Sequence, residues 1–150
     1  MLALTRKTDY GLIAMTHLAR LEGDELACAR EIARLFHVPV RLLMNVLKQL
    51  SAAGYVESVR GSRGGYRLAR RPESINLAEV VTALEGPMRL VGCLSGRLDE
   101  QAKSGCKLME HCPIADPVNR VQQKLGDFLR ALTLADIVQA GPLPAPGQEV

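Results

Sequence analysis

Residues 47–70 read LKQLSAAGYVESVRGSRGGYRLAR, and this stretch decides the fold. Its first part continues an amphipathic helix that starts near residue 40, and Gly54 then supplies the left-handed cap that ends many helices. Two alternating segments, residues 55–59 and 66–68, flank a glycine-rich turn that carries arginines. The stretch therefore predicts a helix that leads directly into a β-hairpin.

Two further helices precede this stretch. Apolar residues recur at helical spacing over residues 5–21 and 27–36, and Pro39 separates the second helix from the third. Two short helices joined by a tight turn are typical of a helix-turn-helix, although a plain helical hairpin has the same pattern. The β-hairpin that directly follows the third helix favours a winged helix-turn-helix over a plain helical hairpin. We therefore predict a mainly α fold with a small β-hairpin wing: a winged helix-turn-helix plus a long C-terminal dimerisation helix.

Basic residues are concentrated in the first half of the chain. Residues 1–75 hold 12 Lys and Arg against 7 Asp and Glu, a balance of +5, whereas residues 76–150 hold 7 against 9, a balance of −2. Affinity for a polyanion depends on such local charge, although a solvated basic face has the same composition. Together with the helix-turn-helix pattern, the charge predicts double-stranded DNA as the partner. The predicted contacts are Arg41, Asn45 and Lys48 in the major groove, and Arg60, Ser62, Arg63 and Gly64 at the wing tip, with Tyr66 supporting the wing.

The second half predicts a helix that pairs with another copy of the chain. Asp116 and Pro117 predict an N-cap and a first helical residue, and apolar residues then recur at steps of three and four. Because little else in the chain could cover so long a seam, it favours a homodimer; packing within its own domain is the alternative. The seam consists of Val118, Val121, Leu125, Phe128 and Leu132.

These patterns divide the chain into five parts. A winged helix-turn-helix domain is predicted over residues 1–72, and a connecting helix with a capping box at Asn76 and Glu79 over residues 73–92. The remaining parts are a cysteine-rich loop at 93–112, the dimerisation helix with a short closing helix at 113–139, and a disordered tail rich in Pro and Gly at 140–150.

Three of the four cysteines, Cys93, Cys106 and Cys112, lie in the polar loop without any CxxC pair, unlike a zinc ribbon or a thioredoxin motif. The first residues contain no run long and apolar enough for a signal peptide or a membrane span, which predicts a cytoplasmic protein with no membrane partner and with reduced thiols. Such thiols could ligate a metal or an iron–sulfur cluster, form a redox switch, or simply pack, and their spacing leaves these options open. Cys28, in the apolar setting of the helix-turn-helix, is predicted to be a small buried residue.

The chain resembles a known family in several runs. These are LTRKTDYGL at 4–12, the stretch at 47–70, INLAEVVTALEG at 75–86 and FLRALTLADIV at 128–138, together with the late cysteines. They are similar to the bacterial winged-helix regulators that include IscR and NsrR, and TLADIV is most similar to the branch that regulates iron–sulfur cluster assembly. The resemblance covers about residues 1–140 and implies a [2Fe–2S] or [4Fe–4S] cluster, its type undecided, held by Cys93, Cys106 and Cys112.

The sequence departs from the family pattern at two places in the loop. Twelve residues separate Cys93 from Cys106, more than is usual in the family, and Ala115 occupies the position of the histidine ligand of the cluster-assembly regulators. Resemblance to the nitric-oxide-sensing branch implies Asp9 of the partner subunit as the fourth ligand, and His111 is the local alternative.

The function predicted from these observations is a homodimeric transcription regulator, acting as a repressor on an inverted-repeat operator. It would sense iron–sulfur cluster, redox or nitric oxide status. Cluster loading, oxidation or loss would change the conformation of the loop and of the dimer helix, and thereby the spacing of the two DNA-reading helices in the dimer. A cluster-free thiol switch on the same cysteines is the alternative. An enzyme is disfavoured, since the sequence has neither a CxxC pair nor a phosphate-binding fingerprint.

Overall fold

A computed structural model describes residues 5–90 and 111–140 of the chain. Within these ranges the protein has six α-helices and one two-stranded hairpin, which confirms the predicted mainly α fold with a β-hairpin wing. Cys93, Cys106 and residues 141–150 of the predicted tail at 140–150 lie outside the described residues, and Ala140 is the last residue of the last helix. The elements are α1 (Arg6–Leu18), α2 (Ala29–Leu35), α3 (Val40–Ala52), β1 (Val56–Val59), β2 (Gly65–Leu68), a 3₁₀ turn (Pro72–Ser74), α4 (Leu77–Glu85), α5 (Ala115–Ala131) and α6 (Leu134–Ala140).

The turn between α2 and α3 has a left-handed residue at its centre. His37 has φ = 53°, and the N–H of Val38 donates to the carbonyl of Ala33 at 2.9 Å, which closes the end of α2. Pro39 then leads into α3. The helix-turn-helix predicted from the sequence therefore has a tight joint fixed by backbone hydrogen bonds.

Cys28 caps the start of α2, and the prediction that it is buried was wrong. Its thiol is exposed, and its Sγ accepts a hydrogen bond from the backbone N–H of Glu31 at 3.4 Å. An N-cap residue has to stand at the helix end, where its side chain can reach the first free N–H groups. This position, rather than the apolar character of cysteine, determines its exposure.

Gly54 ends α3 in the predicted left-handed conformation, with φ = 80°. The N–H of Gly54 donates to the carbonyl of Ser51, and the N–H of Tyr55 donates to the carbonyl of Leu50. This pair of bonds is the Schellman arrangement, which satisfies carbonyls that the helix leaves open. The chain thereby turns directly from α3 into β1.

The wing is an antiparallel hairpin in which Val56 lies opposite Leu68 and Val59 lies opposite Gly65. A third segment holds it against the helices, because the backbone groups of Tyr66 and Ala27 exchange two hydrogen bonds of 2.9 and 3.1 Å. The half-buried Tyr66 side chain also packs against the core. The hairpin is therefore fixed to the chain just before α2.

One hydrophobic core joins the first half of the chain to helices that come much later. It includes side chains of α1, α2 and α3, and also Val80 and Leu84 of α4 and Leu134 of α6. The predicted capping box starts α4. The side chain of Asn76 accepts a hydrogen bond from the backbone N–H of Glu79, and the side chain of Glu79 accepts one from the backbone N–H of Asn76. Gly11 allows α1 to approach α4 closely, since a Cβ at this position would collide with the Leu84 side chain.

Helix α5 differs from the other helices because none of its residues is buried. Val121 and Phe128 of the predicted seam are 55% and 59% exposed. The helix starts at Ala115 after Ile114, so the predicted N-cap Asp116 was wrong by two residues. Asp116 and Pro117 lie in the first turn instead, where a proline ring replaces an N–H that has no helical partner.

The end of α5 returns to the core through backbone hydrogen bonds. The N–H of Leu77 donates to the carbonyl of Leu132, and the N–H of Leu134 donates to the carbonyl of Ile75, both at 2.8 Å. Thr133 and Asp136 then cap α6 reciprocally through backbone and side-chain bonds. The two residues before α4 and the two before α6 thus form one short, fixed junction.

Candidate nucleic-acid interface

Helix α3 divides sharply into a buried and an exposed face. Leu43, Val46, Leu47 and Leu50 form the buried stripe. The three residues predicted to read DNA point away from this stripe, and all three are exposed: Arg41, Asn45 and Lys48. These three residues offer one amide and two cationic groups, and these side-chain types can bond base edges and phosphates.

The basic residues between positions 41 and 71 fall into two groups. Arg67 pairs with Glu57 at 2.8 Å and with Asp24 at 3.3 Å. Arg70 lies 4.0 Å from Glu79 and over the ring of Tyr55. The others are exposed and form no ion pair with the described residues: Arg41, Lys48, Arg60, Arg63 and Arg71. Four of these five are the cations that the sequence predicted as DNA contacts.

The wing tip spans residues 60–64, where Arg60, Ser62 and Arg63 are exposed. Gly64 has a structural reason to be glycine, because a Cβ there would collide with the carbonyl oxygen of Val59. Its N–H donates to the carbonyl of Gly61 at 3.0 Å and closes the turn. A compact turn of this kind lets its two arginines project without a bulky side chain between them.

A groove with a volume of about 380 Å³ separates the start of α1 from α3. The sequence analysis did not predict it, because its two walls lie more than thirty positions apart in the chain. Arg6 is exposed at the start of α1, the helix that packs on α3. The groove is lined by Thr5, Arg6, Lys7, Tyr10, Leu42, Asn45, Val46 and Gln49.

Hydrogen bonds to Glu85 fix the start of α1 beside this groove. The hydroxyls of Thr5 and Thr8 both donate to the Glu85 carboxylate, the second at 2.6 Å, and the Lys7 ammonium donates to the carbonyl of Leu84. The bond from Thr5, followed by that from Thr8, lowers the pKa of Glu85. Glu85 therefore stays ionised and ties the end of α4 to α1.

The predicted cluster ligands are only partly within the described residues. Cys112 is a half-buried free thiol three positions before the first residue of α5, whereas Asp9, in the first turn of α1, and His111 are exposed. Across residues 5–90 and 111–140, no three His, Cys, Asp or Glu side chains group closely enough to hold a metal ion. Just before the loop, the N–H of Leu90 donates to the side chain of Gln122 on α5 at 3.1 Å.

Residues 4–140 match the Rrf2 family, which is described as iron-dependent transcriptional regulators. The chain belongs to the Rrf2 family. It is 36% identical over 135 residues to the HTH-type transcriptional regulator NsrR of Bacillus licheniformis, which covers 90% of this chain and 91% of that protein. The resemblance noted in the sequence is thereby confirmed, and the Rrf2 relatives are transcriptional regulators rather than enzymes.

Two solved structures resemble this Rrf2 protein along nearly its whole length. The structure of CymR (YrzC), the global cysteine regulator of B. subtilis, superposes with a TM-score of 0.73 at 25% identity and covers 95% of this chain and 100% of that one. The T. potens IscR structure gives a TM-score of 0.68 at 26% identity, covering 97% and 94%. The winged-helix architecture is therefore shared with both. None of the helices described here has the length and apolarity needed to cross a lipid bilayer.

Proposed function

We propose that this Rrf2 regulator binds an inverted-repeat operator as a homodimer and represses transcription from it. Arg41, Asn45 and Lys48 of α3 would enter the major groove, while the wing tip would follow the phosphate backbone. The observation that carries this proposal is the set of exposed cations on α3 and the wing that have no acidic partner among the described residues. Unpaired cations lose no ion pair when they meet a phosphate, so their charge is available to DNA.

The DNA surface is tested by charge-removing substitutions with a matched control. Arg63→Gln and Lys48→Ala should each weaken operator binding and reduce the slope of affinity against salt by about one phosphate contact. Arg130→Gln removes an arginine that pairs with Asp127 on α5, away from the proposed surface, and should leave both quantities unchanged. Asn45→Ala should instead relax sequence preference. Parent-like binding by all three surface variants would contradict the assignment.

For sensing, we propose a cluster held by Cys93, Cys106 and Cys112, with Asp9 of the partner subunit as the fourth ligand. Three soft thiolates and one carboxylate form a donor set that suits an iron–sulfur cluster. Such a cluster, when bound, would supply a group that responds to iron supply, oxidants or nitric oxide. The family description as iron-dependent regulators supports this proposal.

The described residues on the two sides of residues 91–110 both lie near α5, which supports a shared site. Leu90 is hydrogen-bonded to Gln122, and Cys112 lies three positions before the start of α5 at Ala115. Gln122 is seven residues along this helix, roughly 10 Å. Cys93 is three positions beyond Leu90 in the sequence, a distance of at most about 10 Å when the chain is extended. The chain length therefore allows Cys93 to approach Cys112.

The position of Cys112 could couple the state of the cysteines to DNA binding. Cys112 precedes α5, which exposes the apolar seam, and the far end of α5 is hydrogen-bonded to the DNA-binding half at Ile75 and Leu77. A change at the N-terminal end of α5 would therefore alter how the two winged helix-turn-helix units are positioned in a dimer. This coupling requires that ligand state and DNA favour the same two arrangements.

The cluster is tested by anaerobic purification, a visible absorption spectrum, and assays of iron and acid-labile sulfide on the same sample. The parent protein should be coloured and contain both elements, and Cys106→Ala should lose them. Cys28→Ser is the matched control, because Cys28 is an exposed N-cap of α2 and serine caps helices well. Asp9→Ala should alter the spectrum or lifetime of the cluster. A parent protein that stays colourless after reconstitution would overturn this part of the proposal.

A cluster-free thiol switch on the same cysteines is the second candidate. The structural similarity to CymR supports it, because the CymR neighbours bind no cluster. It predicts that iron-free protein changes its DNA affinity on treatment with peroxide and recovers with a thiol reductant. A cluster sensor would show no such reversible response without iron.

A further inference from the structure

Met44 is a large apolar side chain exposed in the middle of the reading helix. It is 48% exposed, and it is not among the side chains that pack against the core. On a helix, residues three and four positions apart are neighbours. The neighbours of Met44 on the exposed surface are therefore the apolar Val40, which is 37% exposed, and Arg41 and Lys48, two of the cations that have no acidic partner among the described residues.

An exposed apolar pair, Val40 and Met44, beside two unpaired cations restricts the kind of partner that fits. A hydrophobic protein surface would cover Met44 but would also desolvate both cations without compensation. The major groove of DNA offers both kinds of contact. Acceptors on phosphates and guanines can pair with the cations, and the 5-methyl group of thymine is an apolar partner for Met44. We propose that Met44 is a specificity-determining residue that recognises the methyl group of a thymine in each half-site.

Leu42, the other strongly exposed apolar residue within α3, has a different environment. It is 49% exposed but lines the groove beside α1 together with Tyr10 and Val46. Two positions on a helix differ by about 200° around its axis, so Leu42 and Met44 lie on opposite flanks of the exposed face. Leu42 therefore serves as the matched control for Met44.

This inference rests on the proposed DNA-binding function, and the experiment separates the two. The dimeric protein would first select its binding site from a pool of random-sequence duplexes. Each thymine of the selected site would then be replaced by deoxyuridine, which removes only the methyl group, and affinity would be measured by fluorescence anisotropy.

We expect one thymine per half-site to matter, with a loss of about fourfold for one methyl and about fifteenfold when both symmetric positions are replaced. Met44→Ala should bind the thymine and deoxyuridine duplexes equally, whereas Met44→Leu and Leu42→Ala should keep the difference. Because Met44 is exposed, its variants should fold like the parent, which a thermal melt would check.

Two results would overturn the inference. If a site is selected but the parent tolerates deoxyuridine at every position, or Met44→Ala keeps the full methyl dependence, Met44 does not read a thymine while DNA binding stands. If no duplex is selected, the proposed function fails and this inference fails with it.

Discussion

His37 is held in a left-handed conformation at the turn of the helix-turn-helix. A non-glycine residue there suffers contacts of its Cβ that glycine avoids. His37→Gly should therefore raise the free energy of unfolding by about 0.5–1 kcal/mol, after allowance for the greater chain entropy of glycine. Urea denaturation would measure this. His37→Ala keeps the Cβ and should give no gain; an equal gain from alanine would assign the effect to the imidazole rather than to the backbone.

His17 makes the fold sensitive to mild acid. It packs edge-on against Phe36 at 5.7 Å, and its Nδ1 is buried without a hydrogen-bond partner in the described parts of the chain. Burial lowers the pKa of His17 below 6.5, Glu31 opposes this shift, and Arg20 adds to it. The folded protein therefore binds fewer protons than the unfolded chain, so stability present above pH 6.5 is lost as the pH falls below that value.

The denaturation midpoint should consequently decrease between pH 7 and pH 5 in the parent protein. His17→Gln should flatten this dependence, whatever its effect on the absolute midpoint. A slope that His17→Gln does not alter would show that other groups are responsible. The lowered pKa of Glu85 adds a further loss of stability only below about pH 4.5.

At the scale of elements, α5 carries the dimer proposal. Val121 lies on its exposed apolar seam, while Gln123 is exposed on another side of the same helix. Val121→Asp should weaken dimerisation at least roughly a hundredfold, because an unpaired charge buried in an interface costs several kcal/mol. Light scattering would report the molar mass. Gln123→Asp should remain dimeric, and a dimeric Val121→Asp variant would contradict the proposed interface.

Local sequence signals predicted the elements well where the cause is local. Gly54 and the Asn76–Glu79 box each act within a few residues, and both were found at the predicted positions. Cys28 was misplaced because its burial depends on whether the thiol caps α2 or faces the core, and apolar character does not distinguish these. The groove beside α3 could not be predicted, since it exists only where α1 and α3 pack together.

At the scale of the whole molecule, α6 completes the core that α1, α2, α3 and α4 share. Leu134 is fully buried in the same cluster as Ile32 and Leu47, although it follows the long helix α5. Leu134→Ala should lower the free energy of unfolding by about 2–4 kcal/mol, as expected for a buried leucine. Gln139→Ala, at an exposed position of α6, should change it by less than about 0.5 kcal/mol. Equal small effects in urea denaturation would mean that α6 is dispensable.

The pairing of Asn76 with Thr133 has a consequence for synthesis on the ribosome. The partner of Asn76 is made 57 residues later, which takes roughly 3–11 s at typical elongation rates. During that interval the nascent chain lacks Leu134 in its core, and the carbonyl of Ile75 and the N–H of Leu77 lack their hydrogen-bond partners. The core of the winged helix-turn-helix is therefore complete only after the helix proposed for dimerisation has been made. A chain stalled before α6 would bind chaperones instead of folding into a monomer that binds DNA.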